Sequence, residues 1–151
     1  MNSFSSVIQT LKTALGAQMN PQDAVRQREA NQWLERFQKD ASSWGAVDVL
    51  LSGERDNRVL FFAAHTLHRK VSNDFEQLKR RDPSAVPKLR ATLIAHVKRH
   101  KTSSRQVREK LCQATAQLAI QDMSWRNVCA DLTPKFGRDD MASLLRIFKL
   151  L

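Results

Sequence analysis

"RVLFFAAHTLHRKV", residues 58–71, is the stretch on which the fold turns. Leu60, Ala64, Leu67 and Val71 recur at i, i+4, i+7 and i+11, the spacing that lines apolar side chains along one side of an α-helix. Phe61 widens that stripe as ordinary core. A second series at the same spacing, Arg58, Phe62, His65 and Arg69, combines an aromatic ring with basic groups. Phe62 argues against a purely solvated face: either it packs on a neighbouring helix or it lines a binding surface.

Working outward, this helix is expected from about Arg55 to Asp74, after a shorter apolar pattern (Trp44, Val47, Leu50, Leu51) that closes at Gly53. Upstream, Phe4, Val7, Ile8, Leu11 and Leu15 precede Gly16, a C-cap candidate. Asn20-Pro21 then offers an N-cap and first-turn proline to the stripe Ala30, Trp33, Leu34, Phe37 and Ala41. Downstream, Asp82-Pro83 and Pro87 break the chain before Leu89, Leu93, Ile94 and Val97. Further stripes follow at Val107 to Leu118, Trp125 to Phe136 and Met141 to Phe148.

These elements pair, with pair starts near residues 3, 43, 84 and 124, a period of about 40 residues that fits HEAT or armadillo repeats. The expected fold is all-α: a right-handed α-α superhelix, or solenoid, of about four HEAT repeats and roughly eight helices over residues 1–151. The last stripe runs into "LLRIFKLL" without a polar capping helix, which solenoid ends require. The expectation is therefore a fragment of a much longer solenoid, exposing Leu144, Phe148 and Leu151 and self-associating or packing on a neighbour through this end.

The composition agrees with the class. Of 151 residues 42% are hydrophobic, enough for a core, and only four are glycine. Cys112 and Cys129 sit in apolar helical patterns without CxxC spacing, so buried, reduced thiols are expected. No signal peptide or membrane span is evident, and the chain reads as soluble and intracellular.

Charge is concentrated. From Lys79 to Lys110 there are eleven Lys or Arg against Asp82 and Glu109, nine of the ten net charges. The candidate patch comprises Lys79, Arg80, Arg81, Lys98, Arg99, Lys101, Arg105 and Arg108. Such a patch suits phosphate, nucleic acid, anionic lipid or an acidic protein, unless it is simply a solvated face. No aromatic interleaves it, which disfavours a stacking platform for single strands. His65 and His68, or His96 and His100, have metal-compatible spacing, but no Cys, Asp or Glu joins either pair on the same face, so surface or concave-face histidines are expected and no metal site. With no phosphate loop, nucleophile elbow or tuned carboxylate pair, no catalytic residue or cofactor is assigned and no enzyme is expected.

Taken in order, "NQWLERFQ" (31–38), Trp44 with "DVLL" (48–51), "VLFFAAHTLHRKV" (59–71) and "LCQATAQLAIQDMSW" (111–125) resemble the amino-terminal end of importin-β superfamily nuclear transport receptors. The likeness is nearest to the transportin-SR and importin-13-like branch. Its second-repeat pattern reads here as Phe61, Phe62, Ala64, Leu67, Lys70 and Val71. The resemblance covers the whole chain and implies four repeats whose inner B helices, at about 22–40, 55–74, 103–121 and 138–151, bind the GTP form of the small GTPase Ran. Arg58, Phe62, His65 and Arg69 would contribute to that contact.

It also implies protein cargo, SR-type proteins among the candidates, with nucleoporins met by the rest of the receptor, and shuttling between cytoplasm and nucleus. Members of the family are commonly acidic, so the basic 79–110 segment is a departure. Two other readings stay open on the residues alone: an ENTH- or VHS-like trafficking adaptor binding anionic lipid, and a basic helical nucleic-acid-binding domain.

Overall fold

The computed structural model describes residues 4–151. Among them are eight helices and no strand: α1 (Ser5–Gln18), α2 (Ala24–Lys39), α3 (Ser43–Gly53), α4 (Asn57–Arg81), α5 (Ala85–Arg99), α6 (Arg105–Gln121), α7 (Val128–Phe136) and α8 (Met141–Leu150). The all-α class of HEAT-like helix pairs is as expected. Pairs begin at Ser5, Ser43, Ala85 and Val128, about 40 residues apart. The expected start near residue 3 lies outside the described residues.

A turn that recurs with this period closes each of the first three pairs. After α2, α4 and α6 the chain reads Asp40-Ala-Ser42, Asp82-Pro-Ser84 and Asp122-Met-Ser124. In each, the aspartate amide closes the helix by donating to the carbonyl four residues back (Arg36, Leu78, Leu118). Its carboxylate accepts from the serine amide two residues on, at 2.8, 3.2 and 3.1 Å. Its own carbonyl accepts from the amide of Ser43, Ala85 or Trp125. Aspartate suits this role because its short side chain satisfies a turn amide locally.

By contact the chain divides into two compact units, one ending at Thr66 and one from Leu67 to Leu151. In the first, Leu11, Leu15, Leu34, Phe37, Val47, Leu50, Leu51 and Leu60 form the core. Trp33 stacks on Phe37 with centroids 5.5 Å apart. The ring of Phe4 lies so close over Gly45 that an added Cβ would stand 2.6 Å from it, which is why α3 carries a glycine there. Gln38, buried on α2, donates to Thr66 Oγ1 at 3.0 Å and ties α2 to α4.

In the second unit Leu67, Val71, Phe75 and Leu78 of α4 are buried, with Leu89, Leu93 and Val97 of α5 and Val107, Leu111 and Leu118 of α6. Leu132 and Phe136 of α7 and Leu144 and Ile147 of α8 complete this core. Gln121 Nε2 donates to the Val71 carbonyl at 3.0 Å, joining α6 to α4. Helix α7 has only 9 residues and carries Pro134 inside it. It ends at Gly137, whose φ of 49° is the one positive value among the described residues.

Several boundaries and burials differ from the sequence reading. Helix α1 continues through Gly16 to Gln18. Helix α2 is capped by Asp23, whose side chain accepts from the Arg26 amide, while Asn20 closes a separate turn by accepting from the Gln22 amide. The carboxylate at 23 also complements the helix dipole, which an asparagine cannot. Ala41 lies beyond α2 and is exposed. Helix α4 runs to Arg81, well past Asp74, because Phe75 and Leu78 continue its apolar stripe. Phe61 is 36% exposed rather than core, its ring stacked on His65.

His96 and His100 are buried, not surface residues, and the His100 Nδ1 lies 2.8 Å from Ser103 Oγ. Leu144 is buried against the α6–α8 core and Phe148 is half-buried, so of the three residues expected to be exposed at the end only Leu151 is.

Cys112 is buried but Cys129 is exposed, since it falls on the outer side of the short α7. Burial pushes the Cys112 thiol up to about 11. Only Cys129 is therefore expected to react quickly with a thiol reagent in the folded chain, with Cys112 slower by about a hundredfold or more, since each pKa unit removes about tenfold of thiolate. Two fast equivalents in a colorimetric thiol titration would contradict this.

Candidate functional site

The α4 stripe is built by helix register. Arg58, Phe62, His65 and Arg69 repeat at three- and four-residue steps along one helix, the first three in the first compact unit and Arg69 in the second. Arg58 is exposed in the first turn, 3.6 Å from Asp56, and its amide is held by the Asp56 carboxylate at 2.9 Å. Such an exposed pair contributes little stability and leaves the guanidinium accessible. Phe62 is half-buried, its ring 6.1 Å from Phe37 of α2 in a tilted contact. It thus packs on the neighbouring B helix while keeping part of its surface in solvent. His65 is half-buried and stacked face to face with Phe61, centroids 6.1 Å apart. Arg69 is half-buried.

The core stripe on the same helix carries one charge the apolar pattern does not explain. Lys70 is 1% exposed and bonded to Asp74 at 3.1 Å, one turn on. A buried ammonium needs such a partner to offset lost hydration. His68, two residues before Lys70 and so on another face of the helix, is half-buried, and burial, with Lys110 nearby, pushes its imidazole below the usual range.

The basic residues of the 79–110 segment do not form one patch. Lys79, Arg80 and Arg81 are exposed in the last turn of α4, and Lys98 and Arg99 in the last turn of α5. The 15 residues of α5 put about 20 Å between these groups. Both sit at helix C-termini, where the macrodipole favours cations, so their placement has a structural reason. Lys101, Arg105 and Arg108 gather at the α5–α6 turn, where Arg108 Nη1 donates to the Lys101 carbonyl at 3.4 Å.

Arg90 belongs to none of these clusters. Its Nε donates to the buried Asp122 at 2.8 Å, its Nη2 to Ser124 Oγ at 2.7 Å, and its guanidinium lies 5.6 Å from the Trp125 ring centre. Trp125 in turn donates to Asp131 at 3.0 Å, and Lys135, then Trp125, hold that carboxyl below its usual range. No group of three or more metal-ligating side chains is found among the described residues, and no helix is long and apolar enough to cross a membrane. The α4 stripe carries one ring, two guanidinium groups and an imidazole at helical spacing, residue types that interfaces favour.

The sequence reading did not find the cations of α8, Arg146 and Lys149. Their three-residue step on an amphipathic helix was the available signal.

The model of the importin-beta N-terminal domain matches residues 30–117. Transportin MOS14 of Arabidopsis thaliana is 37% identical over 112 residues, covering 73% of this chain and 11% of that protein. The mRNA transport regulator MTR10 of Saccharomyces cerevisiae is 30% identical over 124 residues, 80% of this chain and 12% of its own length. Human Importin-13 is 27% identical over 113 residues, 74% and 11% respectively. The chain thus spans about a tenth of the length of these relatives.

Proposed function

The chain belongs to the importin-β family, and from that premise we propose that it provides the Ran-binding, amino-terminal repeats of a nuclear transport receptor. The observation that carries the reading is the amino-terminal domain match, which takes in all of α3, α4 and α5 and most of α2 and α6. Those helices include the whole Arg58, Phe62, His65 and Arg69 stripe. The receptor would carry protein cargo, SR-type proteins among the candidates, meet nucleoporins through further repeats, and move between cytoplasm and nucleus. Its work is binding, not catalysis.

The proposed contact is with Ran in its GTP form, whose surface offers apolar and acidic groups to a ring flanked by guanidinium groups. Phe62→Ala with Arg69→Ala is expected to weaken binding by about 1 to 3 kcal/mol, roughly 5- to 150-fold. Because Phe62 packs on Phe37, the double variant needs a thermal melt beside it; Arg58→Ala, at an exposed position, weakens binding without touching the core. Calorimetry against Ran-GTP and Ran-GDP makes the test. Equal affinity for both nucleotide forms would remove Ran from the account. Tight binding to phosphoinositide vesicles that depends on Lys98, Arg99 and Lys101 would favour the adaptor reading instead.

A further inference from the structure

Between α6 and α8 lies a cavity of about 510 Å³ whose walls carry Arg105 and Arg108 on one side and Arg146 and Lys149 on the other. One carboxylate, Glu109, stands among these four cations. Arg146 Nε approaches its two oxygens at 3.0 and 2.9 Å, and Arg146 Nη2 also donates to it. Arg146 first, with Arg105 also contributing, holds the Glu109 carboxyl below its usual range.

Two features separate Arg105 and Arg108 from the other basic residues. Arg105 and Arg108 occupy the first turn of α6, which holds no acidic residue, Glu109 following one position later. That is the end of a helix where the macrodipole disfavours positive charge, so their position costs stability where Lys79 to Arg81 and Lys98 to Arg99 gain it. In addition, Arg108 Nε is buried and has no hydrogen-bond partner among the described residues. An unpaired guanidinium nitrogen is costly unless a ligand group completes it.

We propose that the α6–α8 groove is a docking site for an acidic peptide segment of a partner protein. Glu109 on Arg146 shows the geometry recognised: a carboxylate gripped by a guanidinium fork. Carboxylates of the incoming segment pair with Arg105, Arg108 and Lys149 and compete with Glu109 for Arg146. The charge balance admits them, because the lining carries four cations and one carboxylate, and with Asp140, whose charge reaches Cys112, the acids still number two against four. No aromatic side chain lines the groove, which disfavours stacked nucleobases. The site involves other residues than the α4 stripe and stands whether or not that stripe binds a GTPase.

The test is fluorescence anisotropy of a labelled ten-residue glutamate-rich peptide with the 151-residue chain and its variants. Arg105→Glu with Lys149→Glu is expected to weaken binding by about tenfold or more, and Lys79→Glu with Arg80→Glu, an equal charge change, by less than about threefold. Glu109→Gln is expected to tighten binding by about threefold or more, because it frees Arg146. Melting curves establish that each variant is folded. Equal losses from the two charge-reversed pairs, weaker binding by a folded Glu109→Gln, or displacement of the peptide by an RNA decamer or phosphatidylserine vesicles at lower concentration would each overturn the proposal.

Discussion

Phe75→Ala is expected to lower the unfolding free energy by about 3 to 5 kcal/mol, the range for removing an aromatic side chain from a packed core. Phe75 is 0% exposed and among the largest fully buried side chains of the chain. Two terms add. The ring loses its transfer out of water, and the packed core around it relaxes only partly into the space it leaves. Phe75→Leu keeps much of the volume and is expected to lose clearly less. Urea unfolding followed by circular dichroism measures both. A loss below about 1 kcal/mol for the alanine variant would mean that this part of α4 is not packed as described.

Asp122→Ala is the second large effect, about 2 to 4 kcal/mol, and it depends on which of the three equivalent turns is altered. All three aspartates hold the same serine amide, but Asp122 is 3% exposed while Asp40 and Asp82 are exposed. Asp122 also accepts a guanidinium bond, from Arg90. Its removal strands a cation whose side chain is 24% exposed, which keeps the cost below that of a fully buried pair. It also frees the Ser124 amide and unseats the guanidinium from the Trp125 ring. Asp82→Ala, which removes solvated turn bonds to Ser84, is expected to shift the melting temperature much less. Similar shifts for the two variants would contradict this account, and Arg90→Met on the Asp122→Ala background should recover part of the loss by removing the stranded charge.

The comparison of these turns shows where the sequence was legible. Periodicity identified every helix, because each buries a stripe at three- and four-residue steps, and Leu60, Ala64, Leu67 and Val71 are all in the core. The ends were harder. Gly16 and Asn20-Pro21 have the right residue types for helix ends, but tertiary packing carries α1 past the glycine, and Asp23 outcompetes Asn20 as the cap. The Asp-x-Ser turns at residues 40, 82 and 122 mark the repeat better than the weak apolar similarity does. They do not stand out in the sequence, because three residues in each repeat are a small part of any likeness.

The basic segment shows the opposite limit. Its charges are consecutive in sequence, but helix α5 separates them in space, and α8 adds two cations from much further along the chain. A count along the chain cannot see either fact. Phe62 reads in the sequence as more than a solvated residue, but its contact with Phe37 is a tertiary detail that no local pattern specifies.

Pro134 carries a kinetic consequence. The first three amides of the 9-residue α7 have no carbonyl four residues back in the helix, the Asp131 amide being the first to find one, on Asn127, and Pro134 has no amide at all. The Ala130 carbonyl, on an exposed residue, accordingly lacks the donor four residues on that a helix normally supplies. Few amides in this helix are locked by the ladder, so in deuterated solvent it exchanges well ahead of α6, whose amides open only with the second unit as a whole. Helix α7 is thus a low-energy opening unit: transient detachment of this one helix bares Leu132 and Phe136, and local opening toward proteases begins there while the remaining core is still closed.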